Sequence, residues 1–307
     1  MNKFLLTSEI KAQAKALGFV SCGIAKAEEL TNEARYLENW LNQQKHGTMH
    51  YMANHFDKRI DPRQLVEGAK SIIVLATNYY TPLKQVEGAP KISMYALGED
   101  YHHVVKDKLF QLLQFIESKT GKIAARCFVD SAPVLEKTWA QRAGIGWVGK
   151  NSLLLTKRSG SYYFLSEIIC DLELEYDSPV KDFCGNCTKC IDACPTQAIE
   201  SPYRLDASKC ISYFTIEYRE ETLPAEMKGK FENWMFGCDI CQQVCPINTQ
   251  AQPHSELLFT PKNELLQKTK AEWQSLTEDS FKVLFKNSPV KRTKFAGLTR
   301  NIQFLSE

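Results

Sequence analysis

Eight of the chain's 11 cysteines fall between residues 184 and 245 of a 307-residue sequence. They are spaced Cys184-x2-Cys187-x2-Cys190-x3-Cys194-Pro195, then Cys238-x2-Cys241-x3-Cys245-Pro246, with Cys210 between the two runs. Three closely spaced thiolates wrap one face of an iron–sulfur cube. The fourth, just before a helix-stopping proline, crosses to a second cube. By symmetry Cys184, Cys187, Cys190 and Cys245 would hold one [4Fe–4S] cluster, and Cys194, Cys210, Cys238 and Cys241 the other. Four thiolates also suit tetrahedral zinc, but zinc ligands usually arrive as separated CxxC pairs rather than one unbroken run. Cys22, Cys127 and Cys170 lie in apolar, strand-like stretches and read as buried, inert thiols. Two adjacent cubes make a wire for single electrons, and the long chain ahead of them is expected to hold what receives those electrons.

The elements that must position this wire follow from periodicity. Ile10, Ala14 and Leu17 recur at helical spacing before Gly18. Residues 19–25 and 71–78 read as strands. Residues 107–119 read as a helix with Leu109, Leu112, Leu113 and Ile116 on one face, followed by a strand over 123–129, a helix over 136–142, a glycine-rich turn over 144–149 and a strand over 162–172. Alternating helices and strands predict an α/β (α+β) unit over residues 1–178. A ferredoxin-like unit is expected over 179–250, after Pro179, and a short helical, basic segment over 251–307. The GIGWVG turn has the wrong spacing for a dinucleotide fingerprint.

With 44% apolar and 24% charged residues the chain is a globular mixture, which excludes a disordered or fibrous protein. No apolar run approaches the ~20 residues of a membrane span. The N-terminus does not read as a signal peptide, so a cytoplasmic monomer is expected, where clustered thiols ligate metal rather than pair as disulfides. Charge is uneven. Residues 171–226 carry 12 acids and 5 bases, whereas residues 281–306 carry six bases and no acid. Such a basic stretch is either a solvated helix face or a phosphate-binding patch.

The sequence resembles the epoxyqueuosine reductases of tRNA modification. The resemblance is carried by KRIDPRQLVEGAKSIIVLATNYY (58–80), ISMYALGEDYHHVVKDKL (92–109), FVDSAPVLEKTWAQRAGIGWVGKNSLL (128–154), GSYYFLSEI (160–168), CGNCTKCIDACPTQAIESPYRLDASKCISYFTIE (184–217) and FGCDICQQVCPIN (236–248). It implies a cobalamin-dependent oxidoreductase with two [4Fe–4S] clusters that reduces the epoxide of epoxyqueuosine in the tRNA anticodon loop to the alkene of queuosine, fed by an external electron donor. That reaction takes two electrons and two protons and releases water, so it needs a positioned acid. The resemblance assigns that role to Asp130, at the end of a predicted strand. It also assigns corrin contacts to Arg59, Ser93, Leu154 and Leu165, and places Ser212 between cluster and corrin. Asp100-Tyr101-His102 is only a fragment of a cobalamin-binding histidine motif, and Asp100 reads instead as a helix cap. Lys150 and Asn151 are candidates for corrin amides or a phosphate. Arg292, Lys294 and Arg300 are expected to meet tRNA phosphates. Longer members continue into helical repeats that grip tRNA, beyond the point where this sequence ends. Two other readings compete: a reductive dehalogenase-like enzyme, usually exported with a twin-arginine signal that is not seen here, and an electron-transfer module without catalysis.

Overall fold

The computed structural model describes residues 2–157 and 159–306. The chain runs through helix α1 (Lys3–Ala16), strand β1 (Ser21–Lys26), helices α2 (Thr31–Asn42) and α3 (Phe56–Ile60), strand β2 (Ser71–Asn78), the two-residue strand β3 (Lys91–Ile92) and the long helix α4 (Tyr101–Thr120). It continues through strand β4 (Ala125–Phe128), helix α5 (Glu136–Arg142), and strands β5 (Trp147–Val148), β6 (Leu154–Leu155) and β7 (Tyr163–Cys170). Four of these strands form one sheet in the order β1-β2-β7-β4, every pairing antiparallel. The helix–strand alternation of the sequence is therefore realised without parallel crossovers.

The two faces of the sheet are covered differently. Ile73 and Leu75 of β2 and Phe164, Ile168 and Cys170 of β7 pack with Leu6, Ile10 and Ala14 of α1 and Leu109, Leu112 and Ile116 of α4. On the opposite face Ile72, Val74, Ala76, Leu165 and Ile169 meet Trp139 and Ala140 of α5. Burial on both faces explains why β2 and β7 read as nearly unbroken apolar runs rather than as alternating strands. Gly23 lets α5 approach β1, since a Cβ there would lie 2.1 Å from the Ala143 carbonyl oxygen. The N-cap of α4 is Asp100, whose carboxylate accepts from the His102 amide at 3.0 Å.

Beyond residue 178 the chain forms two matching one-turn helices, α6 (Lys189–Asp192) and α7 (Ile240–Gln243). Between them lie the hairpin strands β8 (Ile199–Ser201) and β9 (Arg204–Leu205), a single π turn over Tyr213–Glu217, and strand β10 (Trp234–Phe236). Helices α8 (Asn263–Gln267), α9 (Lys270–Gln274), α10 (Glu278–Leu284) and α11 (Lys294–Phe304) close the chain. Their core is shared with earlier residues. Trp273, Phe285, Val290 and Leu298 pack with Ile92, Ala96, Met235 and Phe236, and β10 pairs in parallel with β3. No helix among the described residues is long and apolar enough to cross a membrane.

Candidate functional site

The eight clustered cysteines gather in two groups. Cys184, Cys187, Cys190 and Cys245 line one cavity of about 50 Å³, together with Lys150, Asn151, Leu155 and Phe183. The electrostatic neighbours of the Cys241 thiol are Cys210, Cys238 and Cys194, the other four-cysteine set. Each group thus takes a cysteine from the opposite run, Cys245 in one and Cys194 in the other. Burial, then repulsion from neighbouring thiols, pushes Cys241 well above the ordinary thiol range, and burial followed by repulsion from Cys245 and Cys184 raises Cys190. Thiols crowded in a dry place become thiolates only against a cationic partner, which an iron–sulfur core supplies. Among the described residues no three His, Cys, Asp or Glu side chains converge on a single ion-sized point. Cys22, Cys127 and Cys170 stand apart on β1, β4 and β7. Burial raises them to about 12, 12 and 11, as expected for inert thiols.

The loops around the first group are held by groups that the sequence reading placed elsewhere. Lys150 is buried and donates from Nζ to the carbonyls of Gly185 (2.6 Å) and Cys187 (2.9 Å). Asn151 donates to the Cys241 carbonyl at 3.3 Å. These two side chains therefore brace the cysteine loops, a correction of their expected role toward corrin amides or phosphate. The Trp147 indole donates to Cys184 Sγ at 3.4 Å. The glycine-rich turn makes this possible, because a Cβ at Gly146 would lie 2.1 Å from the Leu155 carbonyl oxygen.

A cleft of about 860 Å³ opens between the sheet domain and the second cysteine group. Its lining includes Tyr51, Tyr101, His102, Asp130 and Lys137 from the first part of the chain, Cys210, Ser212 and Glu217 from the cysteine-rich part, and Lys286, Lys291 and Arg292 from the basic segment. Asp130 sits just after β4 in a left-handed conformation, φ +50°. Its carboxyl accepts a short hydrogen bond from the Tyr101 hydroxyl, and its amide donates to Glu136 Oε1 at 2.7 Å. Tyr101 is fixed by stacking on Phe164 with ring centroids 4.1 Å apart. His102 contacts Asp100 through Nδ1 at 2.7 Å and faces Asp130 through Nε2 at 3.8 Å.

Behind Asp130 lie two further acids. Burial, then repulsion from Asp130, pushes Glu136 up to about 8. Glu167 is fully buried on the α5 side of β7, and neither carboxyl oxygen has a hydrogen-bond partner. Burial, then repulsion from Glu136 and Asp130, holds it well above the ordinary carboxyl range.

The other expected site residues take varied places. Arg59 is buried. Its Nη2 donates to the Tyr51 carbonyl at 3.0 Å, while its Nε has no partner. Ser93 is buried and donates to Asp239, itself between two cluster cysteines. Leu154 and Leu165 belong to the core under α5. Arg292 reaches the cleft but pairs with Glu217 at 2.8 Å. Lys294 is exposed. Arg300 spends all five of its N–H donors inside the protein, on the carbonyls of Phe214, Tyr218 and Glu220 and on the Asn301 side chain. That guanidinium has nothing left for a phosphate, so Arg300 is a structural clamp, which corrects its expected role. Glu136, Lys137 and Glu167 escaped the sequence reading, and Tyr101 and His102 entered it only as the fragment Asp100-Tyr101-His102, which caps and opens α4.

Comparison with known proteins agrees with this geometry. Residues 59–131 match the family model for epoxyqueuosine reductase QueG, DUF1730, and residues 183–248 match that for a 4Fe-4S double cluster binding domain. The chain is 59% identical over 296 residues to an epoxyqueuosine reductase of Cellulophaga algicola, covering 96% of each chain. It is 42% identical over 304 residues to that of Pseudomonas aeruginosa, covering 97% of this chain and 84% of the other. Among solved structures, an epoxyqueuosine reductase with a tRNA-Tyr epoxyqueuosine-modified tRNA stem loop superimposes with a TM-score of 0.89 at 30% identity, covering 99% of this chain and 81% of that one. A Bacillus subtilis epoxyqueuosine reductase, solved with its catalytic aspartate loop swung out of the active site, matches with a TM-score of 0.88 at 30% identity over 99% of this chain and 82% of that one.

Proposed function

The chain belongs to the epoxyqueuosine reductase family, an oxidoreductase family, and from that membership we propose that it reduces epoxyqueuosine at the wobble position of a tRNA anticodon to queuosine, using cobalamin seated in the 860 Å³ cleft and electrons relayed through two [4Fe–4S] clusters. The observation that carries this reading is one cleft whose wall contains both an acid, Asp130, and a cluster cysteine, Cys210. Protons and electrons can meet there. The solved relative with a modified tRNA stem loop supports a tRNA substrate over the small halogenated molecule of a dehalogenase.

The residues around the cleft suit a corrin. Arg59 Nε–H is a buried donor without an acceptor beside Tyr51, and the amide-fringed edge of a corrin offers carbonyl oxygens. Ser212 lines the cleft and is proposed as a further contact, whereas Ser93, Leu154 and Leu165 are buried outside its lining and are proposed from family membership alone. When bound, low-valent cobalt supplies a nucleophile or one-electron donor that no side chain can provide.

Asp130 would deliver the proton from its carboxyl to the oxygen leaving the ring carbon, because an alkoxide is a poor leaving group until protonated. Tyr101 holds that carboxyl toward the cleft, with His102 Nε2 facing it at 3.8 Å. Lys137 adds an ammonium to the same wall. Lys286, Lys291 and Arg292 line the cleft and Lys294 lies near them in the chain, so this basic edge would take the anticodon phosphates. As in the Bacillus subtilis relative, the loop carrying the aspartate would swing. Residues 1–178 serve as the catalytic unit, 179–250 as the electron module fed by an external donor, and 251–307 as the basic helical segment.

Nucleoside analysis of tRNA tests the reading. A strain lacking the gene accumulates epoxyqueuosine and lacks queuosine, and the wild-type gene restores queuosine. Normal queuosine in the deletion strain would reject it.

A further inference from the structure

Asp130 occupies the left-handed backbone region, which non-glycine residues populate sparsely and keep where their surroundings impose it. Three contacts are available to impose it. The Ser131 amide folds back on the Val129 carbonyl at 2.5 Å, which shapes the turn but ties it to nothing outside. The Tyr101 hydroxyl holds the Asp130 carboxyl. Glu136 Oε1 holds the Asp130 amide at 2.7 Å.

These contacts differ in what they can survive. The Tyr101 bond engages the carboxyl itself, so it must be shared or exchanged when that carboxyl protonates a substrate. The Glu136 bond engages only the backbone and can persist through turnover. The Glu136 side chain reaches it by turning back against its own helix start, into protein shared with Asp130 and the fully buried Glu167. Crowding acids in this way is unfavourable, and a solvent-facing side chain at the first position of α5 would avoid it.

We propose that Glu136 is a positioning residue: it latches the Asp130 loop in the cleft by accepting the Asp130 amide hydrogen bond, and releasing that bond lets the loop leave. The inference rests on the reading of Asp130 as the proton donor. It predicts that the acceptor oxygen matters and that the acidity of Glu136 does not.

The test compares Glu136→Ala and Glu136→Gln with wild type. Hydrogen exchange of the peptide spanning 129–135, measured on protein without cobalamin or tRNA, reads the latch directly. Single-turnover and steady-state kinetics on epoxyqueuosine-containing tRNA read its consequence. Glu136→Ala is expected to lose exchange protection in that peptide and to drop kcat by about 10²-fold, the scale of a misplaced catalytic group, with KM for tRNA unchanged. Glu136→Gln, which keeps the acceptor oxygen, retains both protection and kcat. Should the alanine variant not fold, Glu136→Asp takes its place, since it keeps the acid but falls one methylene short of the amide. Unchanged exchange in Glu136→Ala, or Glu136→Gln as defective as Glu136→Ala, overturns the latch. An active Asp130→Asn enzyme would instead refute the proton-donor reading and leave the exchange result standing, so the two failures are told apart.

Discussion

Replacing Glu167 by glutamine separates a buried neutral acid from a buried carboxylate, and the sign of its effect on stability is fixed in advance. Glu167 lies at 0% exposure on β7, cross-strand from Val74 and Phe128, with both oxygens unpartnered. Burial holds its folded-state value well above the ordinary 4.5. Between those two values the folded chain keeps a proton that the unfolded chain has released. The slope of unfolding free energy with pH is then negative, about 1.4 kcal/mol per pH unit for one such group. The stability that Glu167 contributes is complete below pH 4.5 and drains away as pH rises toward the folded-state value. Glutamine does not titrate, so Glu167→Gln lacks that slope.

Urea unfolding of anaerobic protein with intact clusters measures the difference. Measured at two pH values between 4.5 and 7, wild type should lose more stability with rising pH than Glu167→Gln, by up to about 1.4 kcal/mol per pH unit while the folded chain keeps the Glu167 proton. A desolvation cost for the buried amide shifts the variant equally at both pH values and cancels. Glu136, raised to about 8, is present in both proteins and mostly protonated over this interval, so it cancels as well. Parallel stability curves would mean that Glu167 is ionised in the folded chain, and would refute the account of this face of the sheet.

Two further outcomes follow from the site. Cys194→Ser and Cys245→Ser should each remove about half the iron, but from opposite clusters: Cys194→Ser should abolish the electron paramagnetic resonance signal of the cluster whose Cys210 lines the cleft, and Cys245→Ser that of the other. Arg300→Ala should cost about 2–3 kcal/mol of stability by stranding three carbonyls and leave the salt dependence of tRNA binding unchanged, whereas Lys291→Ala should leave stability alone and lower the salt slope by about 1, both read from filter binding across a salt series.

Local signals carried much of the architecture. Strand β2 and helix α5 match the spans read from sequence, because each is bounded by clear breakers or caps. Helix α4 begins at Tyr101, as the reading of Asp100 as a helix cap requires, although its apolar stripe was read only from Asp107, since His102, His103 and Lys106 hide the stripe of its first turns while Tyr101, Val104 and Val105 are buried. The cysteine sets were legible because ligand spacing is a covalent constraint written along the chain. The antiparallel sheet order was not, because pairing between β1, β2, β7 and β4 depends on contacts across as many as 99 residues. Arg300 and Lys150 misled for a related reason. A cation in sequence advertises charge, but only the fold reveals the carbonyls that consume it. Glu167 was invisible inside YFLSEIIC, where one acid in an apolar strand reads as an outward-facing position until both faces of the sheet prove to be covered.

What the reaction requires most is that the electron path and the proton path end at the same place, although they are built from residues about 80 positions apart. Polar pins, rather than apolar packing alone, set that alignment. Asn248 Oδ1 accepts from the Ser161 amide at 2.7 Å at the entry to β7, and its Nδ2 donates to the Gln242 carbonyl at 2.7 Å in the second cysteine run. Gln242 in turn donates to Ser161, and Asn151 donates to the Cys241 carbonyl. A greasy interface can slide by fractions of an ångström at little cost, but a buried hydrogen-bond network cannot without stranding its members. The sheet that leads to Asp130 and the second cysteine run, residues 238–248, are thereby pinned to each other by side-chain hydrogen bonds.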